Sequence, residues 1–179
     1  MNIPNILTLL RIILVPIYLL VFFSNLKNRV LLAGLIFILA GISDVLDGYI
    51  ARKYDLITKL GSVLDPFADK MMTFAVLISF TWAKLIPSWI LIALGIKEML
   101  MISGGAILYL FKGNQVLPSN KYGKIATTSF YAATLSIVFR LPEMISKVLF
   151  FTTVVLNILA FINYLIIYIS MRKNTQGIS

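Results

Sequence analysis

The chain has 179 residues, of which 60% are hydrophobic and 13% are charged. This composition leaves too little polar surface to cover a water-soluble globule, so it predicts an all-α integral membrane protein. Cys and His are both absent, which excludes disulfides, thiolate or imidazole metal sites, Cys nucleophiles and a His general base.

Six apolar runs, each near the roughly 20 residues that a membrane-spanning helix needs, organise the chain as one domain over residues 1–179. We expect a six-transmembrane-helix bundle with a polar cavity open to the cytoplasmic side. The first run contains Arg11 and lacks the basic start and cleavage site of a signal peptide, so it is predicted to be a retained helix. The six predicted helices are Asn5–Phe23, Val30–Ile50, Gly61–Trp82, Trp89–Phe111, Ile125–Arg140 and Val148–Met171.

The Lys and Arg residues between these runs predict the partner and the orientation of the chain. A net charge of +9 would favour nucleic acid for a soluble protein. Here most cations flank apolar runs, so we expect the lipid bilayer with its anionic headgroups as the partner, and no nucleic acid. Eight cations on one side against five on the other place both termini in the cytoplasm. The eight are Arg52, Lys53, Lys59, Lys112, Lys121, Lys124, Arg172 and Lys173.

Five of the seven acidic residues fall in the 26 residues from Asp44 to Asp69, and four of these five form two pairs around the second loop. Asp44 and Asp47 stand three positions apart and Asp65 and Asp69 four apart, so each pair projects from one face of its own helix. Helical rise puts the pairs at a similar depth, about 6–12 Å from the loop. An ionised Asp at the centre of a membrane helix costs roughly 2.5–3.5 kcal/mol, which predicts that a cation neutralises the cluster.

Four carboxylates without nitrogen or sulfur ligands favour hard divalent cations such as Mg²⁺ or Mn²⁺. Two metal ions about 3.5–4 Å apart hold both oxygens of an in-line displacement at phosphorus, so phosphoryl transfer is the predicted chemistry. Gly48 and Gly61 border the pairs and would allow a phosphate to approach the backbone closely. The alternative is a set of buried ion pairs with Lys70, Arg52 and Lys97.

Residues 44–69, DVLDGYIARKYDLITKLGSVLDPFAD, have the form D-x2-D-G-x2-A-R-x8-G-x3-D-x3-D. This stretch resembles the signature of the CDP-alcohol phosphatidyltransferases at all eight fixed positions. The resemblance implies a six-helix membrane fold and an enzyme that uses two divalent metal ions. It also implies that Asp44, Asp47 and Asp65 are metal ligands, and that Asp69, also near the metals, is the catalytic base.

The segments NIPNILTLLRIILVP and DPFADKMM resemble the bacterial branch of that family that makes phosphatidylglycerol phosphate. The branch implies CDP-diacylglycerol as donor, glycerol 3-phosphate as acceptor, a location in the bacterial plasma membrane and a homodimer. For Asn5 and Thr8, capping of the first helix is the alternative role. Arg11 needs an anionic partner inside the span, either a phosphate or the carboxylate cluster. The implied donor-binding residues are Asn5, Thr8, Arg11, Gly48, Ala51, Arg52 and Gly61.

The acceptor phosphate is predicted to bind Lys97, Lys121 and Lys124, which border the cytoplasmic cavity in the six-span topology. Contact with lipid headgroups is the alternative for Lys121 and Lys124. The branch commonly has Arg-Glu where this chain has Lys97-Glu98, and Gly-Lys-x-Lys-Thr where this chain has Gly-Lys-Ile-Ala-Thr from Gly123. These departures leave open another acceptor, as in the cardiolipin synthase type or in enzymes that use inositol phosphate or serine.

An ion-coupled transporter is the alternative from another class of protein, since it would use the aspartates as an ion site at broken helices. It predicts an inverted repeat and acidic residues in both halves of the chain. Glu98 and Glu143 are the acidic residues of the second half, and no repeat is evident. The transporter is therefore the weaker hypothesis.

Overall fold

The structure is a computed structural model that describes residues 3–54, 59–111 and 121–176. Within these ranges all regular structure is helical, which confirms the predicted all-α class. Helices α5 and α6 begin four and five residues before the predicted positions. The prediction used apolar residues alone, whereas a helix can continue through polar residues outside the hydrocarbon of the bilayer. The helices are α1 (Ile3–Phe22), α2 (Arg29–Lys53), α3 (Lys59–Trp82), α4 (Ser88–Phe111), α5 (Lys121–Val138) and α6 (Glu143–Gln176).

A basic residue with positive φ ends two of these helices. Lys84, with φ 56°, follows α3, and Arg140, with φ 54°, follows α5. After Lys84, the backbone N–H of Leu85 donates to the carbonyl oxygen of Phe80 at 2.9 Å. This bond closes a Schellman motif, which stops the helix.

The chain divides into two compact units, Met1–Ile86 and Pro87–Ser179. In the first unit α1 packs along both α2 and α3, and in the second unit α6 packs along both α4 and α5. Small side chains such as Ala126 and Ala133 are buried on α5, as is Phe130. Small residues at such positions let neighbouring helices approach closely.

Aromatic and polar contacts fix the C-terminal half of α1 against α3. Tyr18 is 1% exposed, and its hydroxyl lies 2.8 Å from the hydroxyl of Ser79. The rings of Phe22 and Phe80 have centroids 5.9 Å apart. This packing sets the register of α1, and Arg11 lies about 10 Å, or two turns, further toward the start of the helix.

Within the described ranges, two helical stretches are long and apolar enough to cross a bilayer, Arg29–Ala51 and Glu143–Ile166, and Ile6–Phe22 is a shorter apolar helix. Large apolar side chains are exposed, among them Leu20 at 74% and Val45 at 70%. Exposed apolar surface of this kind fits contact with lipid. At about 1.5 Å per residue, α6 extends roughly 51 Å, which exceeds the hydrocarbon thickness of a typical bilayer.

We expect Tyr18→Phe to lower the free energy of unfolding by about 1 kcal/mol, because it removes one buried hydrogen bond. Unfolding by SDS titration in detergent micelles measures the change. In the double variant Tyr18→Phe/Ser79→Ala, the further loss of unfolding free energy caused by Ser79→Ala should be smaller than the loss that Ser79→Ala causes alone, because the two residues share one interaction. Tyr49→Phe, on an exposed ring, is the control, and an equal loss in that variant would refute the assignment.

Candidate active site

Arg11 forms ion pairs with both aspartates of α2. Its side chain is 2% exposed, and Nη1 lies 2.6 Å from Oδ1 of Asp44. Its Nη2 donates a hydrogen bond to Oδ2 of Asp47, which is also buried. The Asp44 side chain is 43% exposed. A planar guanidinium can serve two carboxylates at once, so one cation of α1 compensates two anions of α2.

Arg11 has donors that this pairing does not satisfy. Among the described residues, Nε has no hydrogen-bond partner, and Nη1 is close to Asp44 without the geometry of a hydrogen bond. Unsatisfied buried donors cost roughly 1–3 kcal/mol each. Charge attraction rather than complete hydrogen bonding therefore holds this side chain in place.

Thr8, one turn before Arg11, contacts an aspartate of α3. Thr8 is 0% exposed, and its Oγ1 donates to Oδ1 of Asp65 at 2.5 Å. The same hydroxyl lies 3.1 Å from the carbonyl oxygen of Pro4. A hydroxyl has one proton, and a charged carboxylate is the stronger acceptor. Helix α1 therefore contacts three of the four aspartates.

The fourth aspartate, Asp69, is half-buried beside a lysine. Its Oδ2 lies 3.3 Å from Nζ of Lys70. Asp44 is close enough to Asp65 and Asp69 for their charges to interact, and Asp47 is close enough to Asp65 and Asp44. The structure thus gathers all four predicted aspartates at one place in the first unit.

The oxygen chemistry of this cluster fits Mg²⁺ or Mn²⁺, as the sequence predicted. Within the described residues, however, no three acidic side chains are arranged to hold an ion. The cation beside Asp44 and Asp47 is Arg11. The metal site therefore stays a prediction.

For the other predicted donor-site residues, the structure gives the position in a helix but not every side chain. Gly48 and Ala51 are half-buried on α2, one and four positions after Asp47. Arg52 belongs to α2 rather than to a loop, and Gly61 lies in α3. The side chains of Asn5 and Arg52 and the surroundings of Gly61 lie outside the described residues.

The predicted acceptor lysines belong to the second unit. Nζ of Lys97 donates to Oε1 of the buried Glu98 at 2.7 Å. Lys121 and Lys124 are exposed in the first turn of α5, whereas the sequence placed them in a loop. They stand three positions apart and so share a helix face. Their predicted approach to the aspartates stays a prediction.

Sequence reasoning missed two contacts. It did not predict that Thr8 bonds Asp65, although a hydroxyl one turn before a buried arginine shares its helix face. It also did not pair Lys97 with Glu98, although opposite charges side by side in an apolar segment indicate such a pair. Of the two partners allowed for Arg11, a phosphate or the carboxylates, the structure shows the carboxylates.

Comparison with known proteins identifies the family. The CDP-alcohol phosphatidyltransferase family matches residues 1–166, and the chain belongs to it, which confirms the resemblance of the motif. Together with the apolar helices, this membership makes the chain a membrane protein.

Named relatives are found in several bacteria. A relative from Bacillus subtilis (strain 168), named CDP-diacylglycerol–glycerol-3-phosphate 3-phosphatidyltransferase, is 33% identical over 81% of each chain. One of the same name from Wigglesworthia glossinidia brevipalpis is 34% identical over 96% of each chain. Another, from Rickettsia bellii (strain RML369-C), is 48% identical over 77 residues, which span 43% of this chain and 42% of the relative.

We expect Asp47→Asn to lower the free energy of unfolding in EDTA by about 3 kcal/mol, because it leaves the buried Arg11 without its nearest counter-charge. Asp44→Asn should cost less than about 1 kcal/mol, since Asp44 is partly solvated. SDS titration in micelles measures both. Glu143→Gln, at an exposed pair with Lys147, is the control. Equal losses for Asp44→Asn and Asp47→Asn would contradict the unequal burial on which this prediction depends.

Proposed function

We propose that this chain transfers the phosphatidyl group of CDP-diacylglycerol to glycerol 3-phosphate, giving phosphatidylglycerol phosphate and CMP. The observation that carries the proposal is the convergence of the signature aspartates of α2 and α3, three of which α1 contacts. The relatives from Bacillus subtilis and Wigglesworthia, whose names contain these two substrates, match this chain over most of their length and support the choice of substrates.

In the proposed reaction, the acceptor hydroxyl oxygen attacks the phosphorus that bears the diacylglycerol. A new phosphorus–oxygen bond forms, the bond to CMP breaks, and CMP leaves with the electron pair. Asp69 accepts the proton of the attacking hydroxyl. Lys70, 3.3 Å from Asp69, stabilises the charged form of this carboxylate until the proton arrives.

Asp44, Asp47, Asp65 and Asp69 are the proposed ligands of two divalent ions, Mg²⁺ or Mn²⁺. When bound, these ions would supply charge neutralisation at the donor pyrophosphate and the departing CMP. The oxygen donors of the cluster and its excess of negative charge support this assignment. Thr8 would keep Asp65 oriented through its hydrogen bond.

The donor is proposed to lie where α1 meets α2 and α3. Small residues at Gly48, Ala51 and Gly61 would leave room for the nucleotide. Arg11 would bind a phosphate with its planar fork. The remaining proposed donor contacts are Asn5, Thr8 and Arg52.

Lys97, Lys121 and Lys124 are the proposed acceptor-phosphate residues. Glycerol 3-phosphate carries close to two negative charges, and a site that already holds a pyrophosphate must supply further cations. The pair of exposed lysines on one face of α5 suits this role. Lys97 would have to share its charge between the acceptor and Glu98, 2.7 Å away.

The proposed setting is the bacterial plasma membrane, with six spans, both termini in the cytoplasm, a polar cavity open to that side and a homodimeric assembly. Two stretches of the described chain have the length and composition of a span, and its other helices supply the remaining candidates. Cation counts on the two sides support the orientation.

Release of CMP tests the proposed function. We expect purified protein to release CMP from CDP-diacylglycerol only with glycerol 3-phosphate and a divalent ion, and to stop in EDTA. Asp44→Asn, Asp47→Asn and Asp65→Asn should each lower the rate by more than about a hundredfold, because even groups that merely support metal ligands are worth roughly 10–100-fold. Extra Mn²⁺ should rescue these variants only partly.

Glu143→Gln should keep the wild-type rate in this assay. A wild type that releases no CMP with any alcohol would refute the enzyme and leave the transporter. Near-normal CMP release from one Asp→Asn variant would remove that residue from the metal site.

Replacement of the acceptor lysines tests substrate choice. We expect Lys97→Gln, Lys121→Gln and Lys124→Gln each to raise the KM for glycerol 3-phosphate about 10- to 100-fold, because a lost charge-assisted hydrogen bond is worth about 1.5–3 kcal/mol. The KM for CDP-diacylglycerol should stay nearly constant. Lys147→Gln is the control, since Lys147 is exposed and pairs with Glu143. Normal acceptor kinetics in all three variants, or preference for an uncharged alcohol, would point to another acceptor within the family.

A further inference from the structure

The pairing of Arg11 raises a conflict within the cluster. Asp44 and Asp47 are proposed metal ligands, yet both already face a buried guanidinium, with Nη1 2.6 Å from Asp44. A divalent ion on the same carboxylates would stand a few ångströms from that positive charge. Two cations that close in a poorly hydrated site repel each other strongly. Arg11 and the ion therefore compete for the same two carboxylates.

We propose that Arg11 is an exchangeable counter-ion: it neutralises Asp44 and Asp47 while no metal ion is bound and leaves them when one binds. This inference rests on the metal site of the proposed function, and it adds a role for Arg11 in the metal-free protein. Arg11 is then a positioning residue in that state, because it holds the two carboxylates in place without acting on the substrate.

Three observations make the exchange feasible. Nε of Arg11 has no hydrogen-bond partner among the described residues, and Nη1 lacks hydrogen-bond geometry, so the two carboxylates are what retains the guanidinium. The Asp44 side chain is 43% exposed, which gives an ion access to the pair. Tyr18 and Ser79 hold α1 on α3 two turns away, so the helix stays in place while one side chain turns.

The exchange also orders binding. A guanidinium displaced from two carboxylates needs another anion, and the donor pyrophosphate offers the planar, bidentate contact that it prefers. Metal binding would thus release the group that then binds the donor. By linkage, the donor would in turn strengthen metal binding by the same factor.

Mn²⁺ binding to the purified protein in detergent, followed by the electron paramagnetic resonance signal of free Mn²⁺ without substrates, tests the proposal. We expect Arg11→Met to bind Mn²⁺ at least about tenfold more tightly than wild type, since a tenfold change corresponds to only about 1.4 kcal/mol of lost competition. Arg11→Lys, which keeps the charge but loses the fork, should lie between the two. Arg29→Met removes the same charge from an exposed position at the start of α2 and should match wild type.

Stability without metal should move in the opposite direction. In EDTA, the unfolding temperature of Arg11→Met should fall by roughly 5 °C or more, because two carboxylates lose their counter-charge. Saturating Mn²⁺ should restore most of that loss. If Arg11→Met folds only when Mn²⁺ is present, that outcome also supports the exchange.

Thr8→Val separates charge removal from simple loosening of α1. It removes the hydrogen bond to Asp65 without removing a charge, so it should weaken Mn²⁺ binding several-fold, and Thr8→Ser should restore it. Thr128→Val is the control, since the exposed Thr128 hydroxyl donates to a carbonyl oxygen of its own helix, α5. Tighter Mn²⁺ binding in both Thr8→Val and Arg11→Met would mean that a loosened helix, not competition, causes the effect, and would overturn the proposal.

The outcomes separate this inference from the proposed function. If wild type releases CMP as expected but Arg11→Met binds Mn²⁺ no more tightly than Arg29→Met does, the counter-ion role of Arg11 is overturned and the proposed function stands. If Arg11→Met binds Mn²⁺ more tightly but wild type never releases CMP, the proposed transferase function is overturned and the counter-ion role of Arg11 stands. Absence of Mn²⁺ binding in wild type and in Arg11→Met would overturn the exchange.

Discussion

Charge compensation between α1 and α2 is the interaction on which the first unit depends. Asp47 is almost fully buried and Arg11 more so, and neither can keep its charge in an apolar chain without the other. Any shift of α1 that separated Arg11 from Asp47 would leave two buried charges without a counter-charge, which is strongly destabilising. The carboxylates proposed for chemistry therefore also determine where α1 lies, which joins the packing of the unit to its reactive groups.

Helix α1 is attached differently at its two ends. Near its C-terminus, Tyr18 and the ring of Phe22 pack against α3 through a hydrogen bond and aromatic contact. Near its N-terminus, Thr8 and Arg11 reach carboxylates of α3 and α2. Aromatic packing has no alternative partner to move to, whereas a carboxylate accepts any cation of suitable size. The first end is therefore fixed, and the second is open to a change of partner.

Sequence alone predicted the helices well and their contacts poorly. Apolar runs located the six helices of the described residues, because hydrophobicity sustained over about 20 residues leaves few other solutions. They misplaced the start of α5, since Lys121 is polar and still helical. Spacing put Asp44 and Asp47 on one face, but periodicity carries no information on which neighbour meets that face. The contact of Thr8 with Asp65 depends on the approach of α1 to α3, and no local pattern encodes that approach.

The charge balance among the described residues favours further cations at the cluster. Four aspartates bring four negative charges, and the described cations that act on Asp44 are Arg11 and Lys70, which are fewer than the aspartates. A donor pyrophosphate and an acceptor phosphate would each add more. Desolvated charge of one sign is too costly to assemble without further cations. Divalent ions at the carboxylates and lysines at the acceptor would supply positive charge where each substrate brings its own negative charge, and Arg11, freed from Asp47, would then serve a phosphate instead of a carboxylate.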